Sequence, residues 1–168
     1  MTTMQHLNAC PAEEFVALIG FAFEDSPWIA QAAAAHRPFA GRDALHAALV
    51  AVVENAGEAA QVELIRAHPD LAGRVAREGR LTAASASEQA GAGLGALTSA
   101  EIERFDRDNG AYRAAFGFPF VICARENTKD TILAALAARR SNDRATEIAT
   151  ALAEIAKIAR LRIEDAVS

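Results

Sequence analysis

Along most of its length the chain alternates helical apolar patterns with turn signals. Pro11 followed by Glu13 and Glu14 reads as a first helical turn, because proline suits that position and acids favour the positive end of a helix. The helix it opens is expected to carry Phe15, Leu18 and Ile19 inward. Ser26-Pro27 starts a second, running through alanines to about Arg37, before Pro38. Asp43 is placed as the cap of a third helix through Val53. Glu58 to about Ala67 makes a fourth, which must stop near His68 because Pro69 disfavours helical geometry in the residue before it. Asp70 reads as the cap of the helix after that. Two capping-box patterns follow, Ser85-x-x-Glu88 and Thr98-x-x-Glu101, the latter beginning a helix toward Ala115.

The run 116–124, FGFPFVICA, is strand-like in its apolarity, yet Pro119 argues against a central strand. It reads as a buried extended passage. Beyond it Thr128 or Asp130 opens a helix through Arg140, and Asn142 or Asp143 caps a long final helix ending around Val167. Aromatic residues are only 6% of the chain while alanine is abundant, which favours closely packed helices over sheet. The expectation is an all-α fold without significant sheet, a single-domain multi-helix bundle spanning residues 1–168. A hydrophobic content of 52% suffices for one core.

Charge and termini narrow the partners. A net charge of -5 gives no basic footprint for nucleic acid or an anionic membrane. The first eight residues lack the basic and apolar regions of a leader, and no stretch is long enough to span a bilayer, so a cytoplasmic location is expected. Cys10 and Cys123 show neither paired nor metal-ligand spacing, as in a reduced compartment.

The final helix carries one polar residue out of place. At about 100° per residue, Ile148, Leu152, Ile155, Ala159, Ile163 and Ala166 form an apolar stripe, and Arg162 projects about 20° from Ile155, inside it. Arg160 points to solvent. A guanidinium on a core-facing stripe requires an internal carboxylate or an anionic ligand, unless it snorkels from the helix end.

Among the histidines, His6, His36 and His46 read as surface or satisfied structural residues. No two histidines have the four-residue spacing of a helical zinc site and none sits in a Cys/His cluster, so no metal is expected in the chemistry. His68 differs, because it stands at a helix end just before a rigid proline, and an imidazole titrates near neutrality. In EQAGAGLG the glycines weaken a helix by about 1 kcal/mol each relative to alanine, and they permit close approach of a ligand or another backbone. Glu88 is either the acid of a capping box or a functional carboxylate. The glycine run lacks the Lys-Ser/Thr of a phosphate loop.

Three segments together resemble the 2-oxo-4-hydroxy-4-carboxy-5-ureidoimidazoline (OHCU) decarboxylases: AHPDLA at 67–72, SASEQAGAGL at 85–94 and FGFPFVICARENTKDTIL at 116–133, with KIARLRIEDAV matching the closing helix. The resemblance implies a cofactor-independent carboxy-lyase of purine catabolism that makes (S)-allantoin from a small ureidoimidazoline, and a homodimer. It implies His68 as the catalytic histidine, and Glu88 is expected to pair with it as the second catalytic residue. It places Pro69, Ser85, Glu88, Gln89, Phe120, Val121, Ile122, Cys123, Ala124 and Arg162 around the substrate, with Arg162 facing an anion. The competing expectation is a non-catalytic helical adaptor or small-ligand-binding domain, in which Arg162 pairs internally and FGFPFVICA is core.

Overall fold

The computed structural model describes residues 1–168, the side chain of Val75 excepted. Its elements are helical: α1 (Met4–Ala9), α2 (Ala12–Ile19), α3 (Pro27–Ala33), α4 (Arg42–Asn55), α5 (Glu58–Ala67), α6 (Arg74–Arg77), α7 (Ala83–Gly91), α8 (Ser99–Phe116), α9 (Lys129–Arg139) and α10 (Arg144–Ala166), joined by short 3-10 turns. No β-strand occurs among the described residues; Thr2 and Val167 make an isolated bridge. The all-α expectation holds. No helix is long and apolar enough to cross a membrane among the described residues.

The chain divides into two compact units, Met1–Ala67 with Ala156–Ser168, and His68–Ile155. In the first, Leu7, Phe15, Ile19, Ile29, Leu45, Leu49, Ile65 and Ile163 are buried. Burial of each such side chain contributes about 1.5–3 kcal/mol. Leu18 is only half-buried. Helix α1 has no counterpart in the pattern reading, since six residues with one buried apolar position, Leu7, cannot display a period. Its cap is Thr3, whose hydroxyl accepts from the His6 N–H at 3.1 Å. Gly41, not Asp43, caps α4; Asp43 lies in the first turn, where its charge meets the exposed Arg160 at 3.0 Å.

The second unit centres on an aromatic cluster. Tyr112 and Phe116 sit on α8, one turn apart, with centroids 4.6 Å from each other, and Phe120 meets Tyr112 edge-on at 5.3 Å. Phe118 to Cys123 are buried without regular structure, as expected of an extended passage, and Ala124 begins a 3-10 turn. A buried polar knot holds this passage. The Arg139 Nη1 donates to the Val121 carbonyl at 2.8 Å, its guanidinium lies 4.4 Å from the Phe120 ring, and its Nη2 is 2.9 Å from the Glu147 carboxylate. Glu147 also accepts from the Tyr112 hydroxyl and from Asn142. Thr98 and Glu101 form the expected capping box, and Thr128 caps α9. Asp143 caps α10, its carboxylate accepting from the Thr146 N–H at 2.8 Å.

Candidate active site

The chain leaves α5 at Ala67 and enters a loop, 68–73, whose shape is fixed at three consecutive residues. The Asp70 carboxylate accepts from Arg113 at 2.9 Å, the Leu71 carbonyl from the Asn109 amide at 2.9 Å, and the Ala72 N–H donates to Gln89 Oε1 at 3.0 Å. Ala72 adopts φ +53°, a left-handed conformation unusual for alanine. Its carbonyl accepts from Arg77 at 2.8 Å, so both faces of that strained peptide segment are tied down. Gly73 is required by close approach, because a Cβ there would lie 2.8 Å from Asp70 Cβ. At the start of this loop His68 is 6% exposed and Pro69 half-buried. Asp70 does not cap α6, as expected from sequence; Gly73 does, and Asp70 is a strut instead.

Helix α7 presents the second motif. Thr82 is its cap, accepting from the Ser85 N–H, so Ser85-x-x-Glu88 is not a capping box and both side chains lie within the helix. Ser85 and Gln89, four residues apart, are on the buried side and Glu88 is half-buried. Helix α7 packs against the 3-10 turn Ala124–Glu126 that ends the extended passage. The second unit thus brings together the His68 loop, Ser85, Glu88 and Gln89, and the end of the FGFPFVICA run. A cavity of about 320 Å³ in this unit has Ala72, Ala86, Gln89 and Leu94 in its walls; His68 and Glu88 do not line it.

The passage itself is partly committed to the protein. The Cys123 N–H donates to Glu154 at 2.8 Å and the Cys123 carbonyl accepts from Asn127 at 2.9 Å. That removes the Cys123 N–H from the set of groups expected to meet a substrate. Burial, with Glu126 nearby, pushes the Cys123 thiol above its ordinary pKa, so it is no nucleophile at neutral pH.

Arg162 belongs to the first unit. It is 4% exposed and pairs at 3.0 Å with Glu24, also 4% exposed, while its Nη1 donates to the Phe21 carbonyl at 3.1 Å. Of the partners that its place on the stripe left open, an internal carboxylate or an anionic ligand, the carboxylate is present. Glu24 was not legible as that partner, because it sits in a turn between helices without periodicity. Asn109 and Glu147, however, carry the signal that exposed Arg162: a polar residue at helical spacing from buried apolar ones.

Over residues 8–164 the chain matches the family of OHCU decarboxylases. It is 43% identical over 162 residues to the 2-oxo-4-hydroxy-4-carboxy-5-ureidoimidazoline decarboxylase of Amia calva, covering 96% of this chain and 93% of that one. The chain belongs to the OHCU decarboxylase family. It is also 38% identical over 168 residues to the uric acid degradation bifunctional protein of Bacillus subtilis, of which it spans 33%. Among solved structures, that of an (S)-allantoin synthase superposes with a TM-score of 0.79 at 32% identity, covering 100% of this chain and 54% of that chain. The OHCU decarboxylase match runs through both compact units. The protein is a carboxy-lyase of the decarboxylation step in urate degradation.

Proposed function

We propose that His68 handles the proton of this decarboxylation and that Glu88 holds its imidazole in one tautomer. The substrate supplies its own electron sink, because the scissile carbon adjoins a carbon–nitrogen double bond of the imidazoline ring. As the bond to the carboxyl carbon breaks, CO₂ departs and its electron pair forms a carbon–carbon double bond in the ring. The C=N π pair passes to the ring nitrogen, which takes up a proton, and the hydroxyl left on the former carboxyl-bearing carbon gives up its proton as it becomes a carbonyl. A proton then returns to the ring from one face, giving (S)-allantoin. The protein has to orient the carboxylate out of the ring plane, exclude water and time the proton. No cofactor is needed for this route.

The observation that supports the reading most is the immobilised loop: a buried imidazole follows a helix end directly and precedes three residues each tied to a different side chain. A proton-transfer group is useful only when its position is fixed before the substrate arrives. Gln89 serves this loop with its carbonyl oxygen, which leaves the amide nitrogen as its donor to substrate. Ser85 adds a hydroxyl contact and Pro69 shapes the pocket wall, while the assignment of Arg162 to an anionic oxygen rests on the family resemblance alone. Phe120, Val121 and Cys123 act through packing, while the Ile122 and Ala124 N–H groups remain the backbone donors.

General acid–base catalysis contributes about 10²–10⁴-fold, so His68→Asn is expected to lower turnover by that order while leaving the thermal midpoint and helical circular dichroism unchanged. The residual product should approach a racemate, read by its optical activity. Full, one-handed turnover in that variant removes the proposal. On the same family resemblance we propose that residues 1–168 act as one domain, as a homodimer, in the cytoplasm. Light scattering of the purified protein tests the dimer.

A further inference from the structure

The first unit gathers a set of metal-ligating side chains that decarboxylation does not use. His6 lies on α1, Cys10 ends that helix four residues later, and Glu14 is in the first turn of α2. Four residues is one helical turn, so His6 and Cys10 share a face. Pro11 then starts α2 and returns Glu14 to the same place. The imidazole nitrogen, the thiol sulfur and a carboxylate oxygen all lie within 4.8 Å of one another, the sole such group among the described residues, and His6 Nε2 is 2.9 Å from Glu14 Oε1. Cys10 does have a ligand spacing to His6, four residues along the chain, and Glu14, from a different helix, joins them only in the fold.

Nitrogen, sulfur and carboxylate oxygen are the three donor types zinc accepts. With bonds of about 2.0–2.3 Å, the donors around a tetrahedral zinc stand about 3.3–3.8 Å apart. His6 Nε2 and Glu14 Oε1 at 2.9 Å stand slightly closer than that spacing and no pair of the three exceeds 4.8 Å, so an ion enters by a small spreading of the cluster that replaces the His6–Glu14 hydrogen bond with two bonds to itself. Access is open, since the side chains of His6 and Glu14 are 50% and 47% exposed, which also admits a water as fourth ligand. Arg37 faces the cluster with Nη1 at 3.9 Å from Cys10 Sγ, but that nitrogen is held by the carbonyls of Leu7 at 3.0 Å and Cys10 at 2.7 Å. Its single positive charge lowers affinity; the thiolate and carboxylate together outnumber it.

We propose that His6, Cys10 and Glu14 bind one zinc-class divalent cation with three protein ligands and a water, clamping α1 to α2. Binding releases the thiol proton to solvent and changes no oxidation state. The site shares no residue with the proposed decarboxylation machinery, so zinc is expected to raise the unfolding temperature without being required for turnover.

Cobalt(II) is the probe. Titrating the full-length, chelator-stripped protein should produce a thiolate-to-cobalt charge-transfer band with the visible absorption of a four-coordinate ion, saturating at one equivalent and displaced by zinc. His6→Ala, at an exposed position that leaves the core intact, should weaken binding at least tenfold, and Cys10→Ser should abolish the charge-transfer band. Cys123→Ser should keep it. Absence of a thiolate band in the folded wild-type protein overturns the proposal, as does a band that survives Cys10→Ser or disappears in Cys123→Ser.

Discussion

Each compact unit buries one arginine–glutamate pair, and the two pairs have different neighbours. Arg139 and Glu147, eight residues apart in sequence, are wrapped by core groups: the Tyr112 hydroxyl, Asn142, the Val121 carbonyl and the face of Phe120. Arg162 and Glu24 come from distant parts of the chain, and Arg162 is the residue the family resemblance assigns to the substrate. A buried ion pair is weak evidence for stability in itself, because desolvation offsets the attraction, although breaking one half leaves a costly lone charge. Burial alone therefore cannot distinguish a clamp from a binding group. Surroundings can: Arg139 fastens an extended passage to helices, a purely architectural task, while Arg162 anchors on a turn, 21–24, and stands in a family of enzymes whose substrate is anionic.

The sharpest break in that comparison is expected from Glu147→Ala. It strips Arg139 of its carboxylate and Tyr112 of its acceptor at a site that is fully buried, and should destabilise the protein by about 3–5 kcal/mol, read as a lower urea midpoint at unchanged slope. The turnover of the fraction that remains folded should be near that of wild type. A stable protein with impaired turnover would instead move Glu147 into the catalytic machinery.

Replacing both halves of each pair by apolar side chains separates stability from function. Arg139→Met with Glu147→Leu and Tyr112→Phe should recover most of the lost stability and keep activity, because no buried charge is left alone. Arg162→Met with Glu24→Leu should likewise fold, yet lose about 10²-fold in kcat/KM, the ordinary consequence of deleting one charged contact to a substrate, about 2–3 kcal/mol. If the second combination is fully active, Arg162 is a structural residue like Arg139 and leaves the substrate site.

How far the sequence foretold this contrast depends on the range over which each signal acts. Caps and periodicity are local, so α5, the Thr98–Glu101 box and the inward place of Arg162 follow from neighbours within a few turns. The same local criterion, a polar residue in register with buried apolar ones, also applies to Asn109 and Glu147. What it cannot supply is the partner. Glu24 lies in an aperiodic turn, Arg113 reaches Asp70 from another helix, and Glu154 takes the Cys123 N–H from α10. Each of these pairings exists only once distant segments have been packed. The errors at Asp43, Asp70 and Ser85 have one origin: residues that make good caps also make good struts and helix-interior donors, and tertiary contacts decided among those uses. The His68 loop was legible as a position but not as a shape, because its shape is set by Gln89, Asn109 and Arg113.

Acid gives the smallest and most selective contrast. Burial pushes the Glu147 carboxyl upward, but the hydrogen bonds from Arg139, Tyr112 and Asn142 together outweigh it and leave its pKa below the ordinary 4.5. A carboxyl with a lowered pKa in the folded state stabilises the fold at any pH above its unfolded value, and that stabilisation fades as pH falls through the lower folded value. Glu101, hydrogen-bonded by Lys129 and by the Thr98 N–H, behaves the same way, with its pKa lowered to about 2. Unfolding free energy should therefore decline from about pH 4.5 downward. The apolar replacement of Arg139, Glu147 and Tyr112 should decline less steeply over that range, since it no longer contains the buried carboxylate, whereas Thr98 and Glu101 contribute equally to both proteins. Equal slopes in urea titrations of the two proteins between pH 4.5 and about 2 would show that the knot around Glu147 does not carry the acid sensitivity, its desolvation and hydrogen bonds cancelling; a steeper decline in the apolar variant would show that desolvation dominates.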